Sequence, residues 1–519
     1  MDRSVHVTRF QAKVRERDSI PRPRPIHACG PPCTSPGAHR PTGNRSTRCL
    51  PRGGPDPGPH SRPHARRRRP AHHLRENTAM TFVVRVLGSL GAQLLLVICG
   101  AATTVIVARL TGTHGAGAYS LAVQVGTLIV LGGGLGIDFG LIYFSARDRM
   151  RQSELAPVLV WFGLAWGVVL AAAGLVVALA LRRSLLQGLD TTVILAAIAA
   201  IPFMLAVRYL RYFMLGRNQL LPFNGVNVVL ALAWLMLVAI ALGPLHGGIG
   251  GAVWAYAAAN VIAFVAALVL VPSAATLPHL RRAAGMLRTL AAFGLRAQLS
   301  TVLQFLSYRL DLFIVNAVAG LGGAGIYSVA TLLAEAVWYI PNAVGLVLAP
   351  RVAATVEGED DDATAAICRA TMLLSIAGAA VIALLAPILV LLLFGHEFLP
   401  AVVPLWVLLP GVIALGLDKP IASYQLGRGR PQISLYVALI ATPITIAAYL
   451  LLIPTYGIVG AAAGSTISYI ATTAVDVIFL HRVSPLRLRN LVVPHRSDWA
   501  MYASAWQRLR PAITAGVPW

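Results

Sequence analysis

The sequence predicts an all-α protein that crosses a membrane many times. Hydrophobic residues make up 57% of the chain and charged residues only 12%, which is about half the charged fraction of a soluble domain. Four long stretches contain no Asp, Glu, Lys or Arg: 156–181, 218–280, 370–396 and 431–475. A bilayer core about 30 Å thick needs roughly 20 apolar residues in a helix. Each stretch can therefore span once, and the two longest can span twice.

Apolar run length and the turn signals between runs predict about twelve spans. Their approximate limits are 82–108, 115–138, 156–181, 190–213, 222–242, 248–271, 293–318, 325–348, 366–394, 400–418, 432–453 and 457–480. Basic residues concentrate in every second loop. This basic side holds Arg147, Arg149, Arg151, Arg208, Arg211, Arg217, Arg281, Arg282, Arg288, Arg296, Arg351, Arg369, Lys419, Arg428 and Arg430. The positive-inside rule therefore predicts that both ends of the core are cytoplasmic.

The first 79 residues differ in composition from the rest of the chain. They hold 17 Arg or Lys and 5 Asp or Glu, a net +12 of the chain's +23, with abundant Pro, His and Gly. Such a segment cannot bury enough apolar surface to fold, so we expect a disordered leader. It is either upstream sequence read from a start before Met80 or a basic tail that binds nucleic acid or anionic lipid. We favour the first interpretation and therefore expect no nucleic-acid partner.

A duplication organises the remainder of the chain. The repeated segments are GAGAYSLA at 115–122 and GAGIYSVA at 323–330, LGR at 215–217 and 426–428, and GIGGA at 248–252 and GIVGA at 457–461. The displacements of 208, 211 and 209 residues are nearly equal. This pattern predicts a six-helix half over 80–280 and a second over 281–480. Because six is even, the two halves run parallel and can rock about a central cavity. The tail, 481–519, is expected to lie on the cytoplasmic side, with an amphipathic interfacial helix at 497–510.

Ionisable residues at membrane depth are costly and usually face a cavity or a partner. Arg309 and Asp311 lie in one predicted span and Glu335 in the next, so adjacent helices are expected to bring Glu335 near Arg309. One interpretation is a structural ion pair that fixes helix packing. The other is a functional site in which Arg309 binds an anionic headgroup, while Asp311 and Glu335 exchange a proton or a sodium ion.

Further charged residues extend or border that candidate site. Arg85 in the first span and Arg211 at the cytoplasmic mouth are additional candidates for substrate binding, although Arg211 is equally explained as a topology determinant. Asp138, Asp418 and Asp476 lie nearer the ends of predicted spans, where a charged side chain can reach the interface. The sequence therefore gives these three no special role.

Motifs for enzymatic chemistry are mostly absent. Lys13 and Lys419 are the only lysines, and neither follows the glycine that a phosphate-binding loop requires. The sequence has no His-Glu-x-x-His helix and no Gly-x-Ser-x-Gly elbow. These observations favour a transporter over an enzyme, with no cofactor and no metal ion.

Three segments carry a resemblance to a known family. They are VARLTGTHGAGAYSLA at 107–122, LSYRLDLFIVNAVAG at 306–320 with the GAGIYSVATLLAEAVWYIPNAVGLVLAPRVA that follows, and YQLGRGRPQ at 424–432. The chain resembles the polysaccharide-export flippases of the multidrug/oligosaccharidyl-lipid/polysaccharide (MOP) superfamily. The resemblance implies a MATE-like fold in a bacterial cytoplasmic membrane, with an arginine-rich cavity to which Arg309 would belong.

The same resemblance implies a substrate and partners. The family moves undecaprenyl-diphosphate-linked oligosaccharides to the outer leaflet for lipopolysaccharide or exopolysaccharide synthesis. Partners would be the lipid-linked oligosaccharide, membrane lipids, H⁺ or Na⁺, and a polysaccharide polymerase or export machinery. A cation-coupled multidrug antiporter is expected to have more acidic residues in its first half than this sequence has. A lipid II flippase is expected to have two helices more than the twelve predicted here. A membrane-embedded glycosyltransferase or polymerase would need a larger outer loop than the sequence offers.

Overall fold

A computed structural model describes residues 72–146, 152–277, 280–355, 361–484 and 488–493. The described residues fold almost entirely into helices, joined by short turns and four 3₁₀ segments. The α-helices are α1 His72–Gly133, α2 Ile137–Ala146, α3 Gln152–Ala180, α4 Thr191–Ala199, α5 Ile201–Gly216, α6 Leu220–Leu242, α7 Gly248–Leu270, α8 Leu280–Glu335, α9 Tyr339–Ala354, α10 Asp361–Leu393, α11 Val402–Gly427, α12 Gln432–Val483 and α13 Leu488–Val492.

Within these ranges, nine helical segments are long and apolar enough to cross a membrane. Three of them run for 43, 63 and 51 residues, far longer than one crossing requires. Each of the three contains one glycine with non-helical backbone angles, at Gly112, Gly320 and Gly457. About 20 or more residues remain on either side of each break, which is enough for a crossing. The prediction of an all-α, multi-pass membrane protein is confirmed.

Left-handed backbone conformations recur at a nearly constant displacement along the chain. The pairs are Gly112 and Gly320, Gly188 and Gly395, Asn218 and Gly429, and Gly248 and Gly457. At Gly112 and Gly320, φ is 66° and 68° and ψ is −169° and −176°, a region that is essentially restricted to glycine. The chain therefore turns in the same way at corresponding positions, in agreement with the duplication seen in the sequence.

Helices α1 and α8 cross closely at two glycines that correspond in this repeat. A Cβ atom on Gly117 would lie 1.9 Å from the carbonyl oxygen of Leu321, and one on Gly325 would lie 1.9 Å from that of Thr113. Thr113 and Leu321 are themselves 208 residues apart, so the contact is reciprocal. Only glycine permits this approach, because it has no Cβ atom.

Large apolar side chains divide between a packed interior and the outer faces of the bundle. Tyr209, Tyr327 and Tyr449 are fully buried, whereas Leu221 and Leu384 are 85% and 80% exposed. Many other leucines and valines on the long helices are exposed in the same way. Such surfaces suit contact with lipid chains and would be an aggregation liability in water.

Some predicted elements differ in detail from the structure, and others lie outside the residues that the structure describes. The predicted span 190–213 corresponds to one apolar segment, Thr191–Gly216; it is interrupted at Ala200, between α4 and α5, because Pro202 in the first turn of α5 cannot donate a backbone hydrogen bond. Helix α2 occupies a stretch expected to be a loop. Most of the leader, and the interfacial helix expected at 497–510, lie outside the described residues. The division at 280/281 stays a prediction.

Candidate functional site

A cavity of about 990 Å³ lies between residues 72–277, here called the first half, and residues 280–493, the second half. The first half contributes Gln93, Leu96 and Val97 of α1 and Phe139 of α2. Helices α8, α9, α11 and α12, with Pro431 immediately before α12, contribute the remaining wall. Its residues are Ala297, Ser300, Thr301, Gln304, Tyr339, Pro341, Asn342, Gly345, Ala349, Lys419, Ala422, Ser423, Leu426, Pro431 and Ser434. Amide and hydroxyl groups alternate with apolar surface, which suits a ligand with both polar and apolar parts.

The cavity reaches toward the end of the bundle where α9 and α11 terminate. There Arg351 lies in the last turn of α9, and Arg428 Nη1 donates to the carbonyl oxygen of Thr355 at 3.2 Å. We call this the basic end of the bundle.

Contacts between the halves close the opposite end of the bundle. Arg109 Nε donates to the carbonyl oxygen of Leu393 at 2.9 Å. Gln187 Nε2 donates to the carbonyl oxygen of Asn316 at 2.8 Å, and Asn316 Nδ2 returns a hydrogen bond to that of Gln187 at 3.1 Å. The large cavity therefore lies toward the basic end, and hydrogen bonds between the halves lie at the other end.

Lys419 is the only Lys or Arg among the described residues that line this cavity. Its Nζ donates to Tyr308 Oη at 3.1 Å and lies 3.7 Å from Asp418 Oδ2. Sequence reasoning placed Lys419 in a loop, which is wrong, because α11 continues to Gly427. Nothing in the sequence distinguished Lys419 from the arginines that determine membrane topology.

A second space, of about 170 Å³, lies between the halves and contains the predicted ion pair. We call it the central chamber. Arg309 Nη1 donates to Glu335 Oε1 at 2.8 Å, and Nη2 donates to Oε2 at 2.9 Å. The two side chains keep 27% and 19% of their surface exposed. Tyr119 and Trp234 of the first half line the same chamber and are hydrogen-bonded to each other. The expected contact between Arg309 and Glu335 is therefore present, in a space shared by both halves.

Asp311 also borders the central chamber, but hydrogen bonds occupy both of its oxygens. Oδ1 accepts from the backbone N–H of Leu312 at 2.7 Å. Oδ2 accepts from Tyr327 Oη at 2.6 Å and from Ser465 Oγ at 2.8 Å. Asp311 is only 2% exposed. These bonds tie α8 to α12 and satisfy the carboxylate without a bound ion.

The other predicted substrate residues do not join Arg309. Arg211 lies on α5 with its guanidinium 5.4 Å from the ring centre of Phe223, and it lines neither the large cavity nor the central chamber. The side chain of Arg85 lies outside the described residues. Near Arg211, Arg208 forms an ion pair with the fully buried Asp138, with Nε 3.1 Å from Oδ2. This second pair belongs entirely to the first half.

Asp418 and Asp476 lie far deeper than sequence reasoning implied. They are 4% and 2% exposed and border a third, small cavity of about 40 Å³ within the second half. Their position near the ends of predicted spans gave no signal of this burial, because those spans were drawn too short. Among the described residues, no cluster of three or more His, Cys, Asp or Glu side chains could hold a metal ion.

Solved structures with the same arrangement of helices are membrane transporters. An inward-facing multidrug resistance transporter of the MATE family matches with a TM-score of 0.61 and 17% identity, over 76% of this chain and 97% of its own. The lipid II flippase MurJ, in an inward closed conformation, matches with a TM-score of 0.61 and 13% identity, over 82% and 93%. A MOP-superfamily transporter from Pyrococcus furiosus, whose reversed pocket polarity suggests a different function, matches with a TM-score of 0.56 and 18% identity, over 77% and 94%.

The protein therefore has a MATE-like fold. No curated protein matches the chain by sequence. The family profile described as "polysaccharide biosynthesis protein" matches residues 106–403, which is more than half of the chain. The chain belongs to this family of polysaccharide biosynthesis proteins.

Proposed function

We propose that this protein is a flippase that carries an undecaprenyl-diphosphate-linked oligosaccharide across the bacterial cytoplasmic membrane by alternating access. The observation that carries the proposal is the Arg309–Glu335 pair, which is exposed to a chamber shared by both halves. A guanidinium binds phosphate oxygens through two parallel hydrogen bonds, the same geometry that Glu335 now occupies. A diphosphate headgroup can therefore replace Glu335 as the partner of Arg309.

The architecture that supports this function has twelve spans. Counting each side of the breaks at Gly112, Gly320 and Gly457 as one span adds three to the nine helical segments. The paired turns divide these spans into two parallel halves of six. The basic end then faces the cytoplasm, so the large cavity opens toward the side on which lipid-linked sugars are assembled.

The two acidic candidates take different parts in this proposal. Glu335 is the group that exchanges an ion, because protonation would release Arg309 for the substrate. Asp311 holds Tyr327 and Ser465 and positions α8 beside the chamber. Arg211 serves topology and packing, since it lies apart from the chamber.

Delivery of radiolabelled undecaprenyl-diphosphate-oligosaccharide to the opposite leaflet of proteoliposomes tests the proposal. The wild-type chain should deliver it above empty vesicles, and Arg309→Ala should lose most of that activity at equal incorporation. Arg208→Ala, which breaks the ion pair of the first half, is the matched control and should retain delivery if it incorporates equally well. Absence of delivery by wild type with several lipid-linked sugars would contradict the proposal.

One observation favours a second candidate, a cation-coupled multidrug antiporter. Tyr119 and Trp234 present aromatic surface to the central chamber near the carboxylate of Glu335, and aromatic rings with a carboxylate bind organic cations. The same proteoliposomes, loaded with a fluorescent cationic dye, distinguish the two functions. Dye movement driven by a sodium or proton gradient, without delivery of lipid-linked sugar, would favour the antiporter.

A further inference from the structure

Three aromatic side chains of the second half pack against one another. They are Tyr308 of α8, Trp338 of the 3₁₀ segment Ala336–Trp338, and Tyr469 of α12. The ring centre of Tyr308 lies 5.1 Å from that of Trp338 and 5.4 Å from that of Tyr469, and the latter two are 5.6 Å apart. Aromatic rings attract one another at these distances. The position of each ring therefore depends on the other two.

One end of this ring cluster meets the large cavity through Lys419. Lys419 lines that cavity, and its Nζ donates to Tyr308 Oη at 3.1 Å. The phenol is a neutral acceptor, whereas a phosphate oxygen is ionised and forms a stronger hydrogen bond with an ammonium group. An anionic ligand in the large cavity therefore competes with Tyr308 for Lys419.

The other end of the ring cluster adjoins Glu335. The 3₁₀ segment that carries Trp338 joins α8 to α9, and Glu335 is the residue at which it begins. A short 3₁₀ stretch within a long helical run often marks a hinge. Trp338 Nε1 is buried and donates no hydrogen bond to any described residue, so contacts between rings hold the indole in place. Movement of the Tyr308 ring is therefore transmitted to Trp338 and to Glu335.

We propose that Tyr308 is a positioning residue that couples the large cavity to the Arg309–Glu335 pair. An anionic headgroup that contacts Lys419 draws its ammonium group away from Tyr308. The ring cluster then loosens, and Glu335 releases Arg309 to the headgroup. The inference rests on the proposed flippase function and adds the order in which the headgroup meets the two cationic side chains, Lys419 first and Arg309 second.

The variant Tyr308→Phe tests the coupling, because it removes the hydroxyl group that Lys419 holds and keeps the ring. Titration calorimetry on the purified full-length chain measures its affinity for pyrophosphate, used as the headgroup probe. A loosened Glu335 competes less for Arg309. Tyr308→Phe should therefore bind pyrophosphate about fivefold more tightly than wild type, which is at the lower end of the usual range for coupled sites.

Dependence on Glu335 is the readout that a merely structural role of Tyr308 would not produce. In the Glu335→Gln background, Arg309 has already lost its carboxylate partner, so adding Tyr308→Phe should leave the pyrophosphate affinity unchanged. Such a double-mutant cycle isolates the interaction between two positions. Tyr209→Phe, which removes a fully buried tyrosine hydroxyl of the first half, is the matched control and should bind as wild type does.

Two outcomes would overturn the coupling and leave the flippase proposal standing. One is an unchanged pyrophosphate affinity in Tyr308→Phe. The other is an equal increase in both backgrounds, which would assign the effect to the released Lys419 alone. If Tyr308→Phe does not fold, Trp338→Phe decides by the same two outcomes, because it reduces the ring contact and removes an N–H group that has no described partner.

A third outcome separates the two proposals. Absence of pyrophosphate binding by wild type would contradict the headgroup site at Arg309 and would overturn the coupling with it. Pyrophosphate binding that Arg309→Ala abolishes, together with an unchanged affinity in Tyr308→Phe, would remove the coupling alone.

Discussion

Arg309 and Glu335 are joined by two hydrogen bonds of 2.8 and 2.9 Å, although they belong to opposite sides of the break at Gly320 in α8. The pair therefore links the last segment before this turn to the first segment after it. Both side chains remain partly exposed to the central chamber. An anion that enters the chamber must compete with Glu335 for the guanidinium, which makes the strength of the pair a determinant of substrate affinity.

Removing the competing carboxylate should strengthen anion binding. In Glu335→Gln, Arg309 keeps its charge and loses its strongest partner, so we expect affinity for pyrophosphate, used as a headgroup probe, to rise by roughly tenfold, or about 1.4 kcal/mol. Titration calorimetry on the purified protein measures this change. Asp311→Asn serves as the comparison, because Asp311 is already fully hydrogen-bonded, and it should have little effect. Equal affinity in wild type and Glu335→Gln would mean that Glu335 does not compete for Arg309.

The reciprocal glycine contact predicts matched effects in the two halves. A methyl group on Gly117 or Gly325 would overlap a carbonyl oxygen of the opposite half, and such overpacking typically costs about 1–3 kcal/mol. Gly117→Ala and Gly325→Ala should each separate α1 from α8. A cysteine introduced at a buried position near the closed end, for example at Leu186, which is 3% exposed, should then react faster with a membrane-impermeant thiol reagent.

Gly100→Ala is the control for that experiment. A Cβ atom at this position meets nothing within 4 Å, and alanine favours a helix over glycine. Its labelling should match wild type. A marked effect from only one of the two contact glycines would argue against a symmetric interface.

We predict that Lys419 makes a salt-sensitive contribution to substrate binding in the large cavity. It is the only cationic side chain among the described cavity-lining residues, so Lys419→Gln should weaken binding of the lipid-linked substrate. The loss should be largest at low ionic strength, because salt screens the attraction. Arg183→Gln, on an exposed turn away from the cavity, should bind as wild type does. An identical salt dependence in wild type and Lys419→Gln would exclude this role.

The sequence alone was sufficient to predict the internal repeat and the ion pair between Arg309 and Glu335. Apolar runs and short repeated motifs depend on local composition, and Arg309 and Glu335 stood out because charges are rare in such runs. The left-handed turns at Gly112 and Gly320 also coincide with glycines that the sequence shows directly. These features are local in the chain, so they could be identified without tertiary structure.

Burial at the ends of helices could not be predicted in the same way. One predicted span ended at Asp418, because the apolar run ends where Asp418 and Lys419 follow each other. In the structure their opposite charges lie 3.7 Å apart and α11 continues beyond them. The hydrogen bond from Gln425 to Asp476 joins residues 51 positions apart. Contacts of this kind depend on how helices pack, which composition does not specify.

The most direct test of the central claim is delivery of the diphosphate-linked oligosaccharide by the charge-exchanged variant Arg309→Glu/Glu335→Arg. The exchange can preserve an ion pair between the same two segments of α8 while moving the guanidinium to the other side of the break at Gly320. If Arg309 binds the headgroup, the double variant should incorporate and melt like wild type yet deliver little substrate. Delivery at the wild-type rate would show that the pair only holds the helices together, and would contradict the proposed headgroup site.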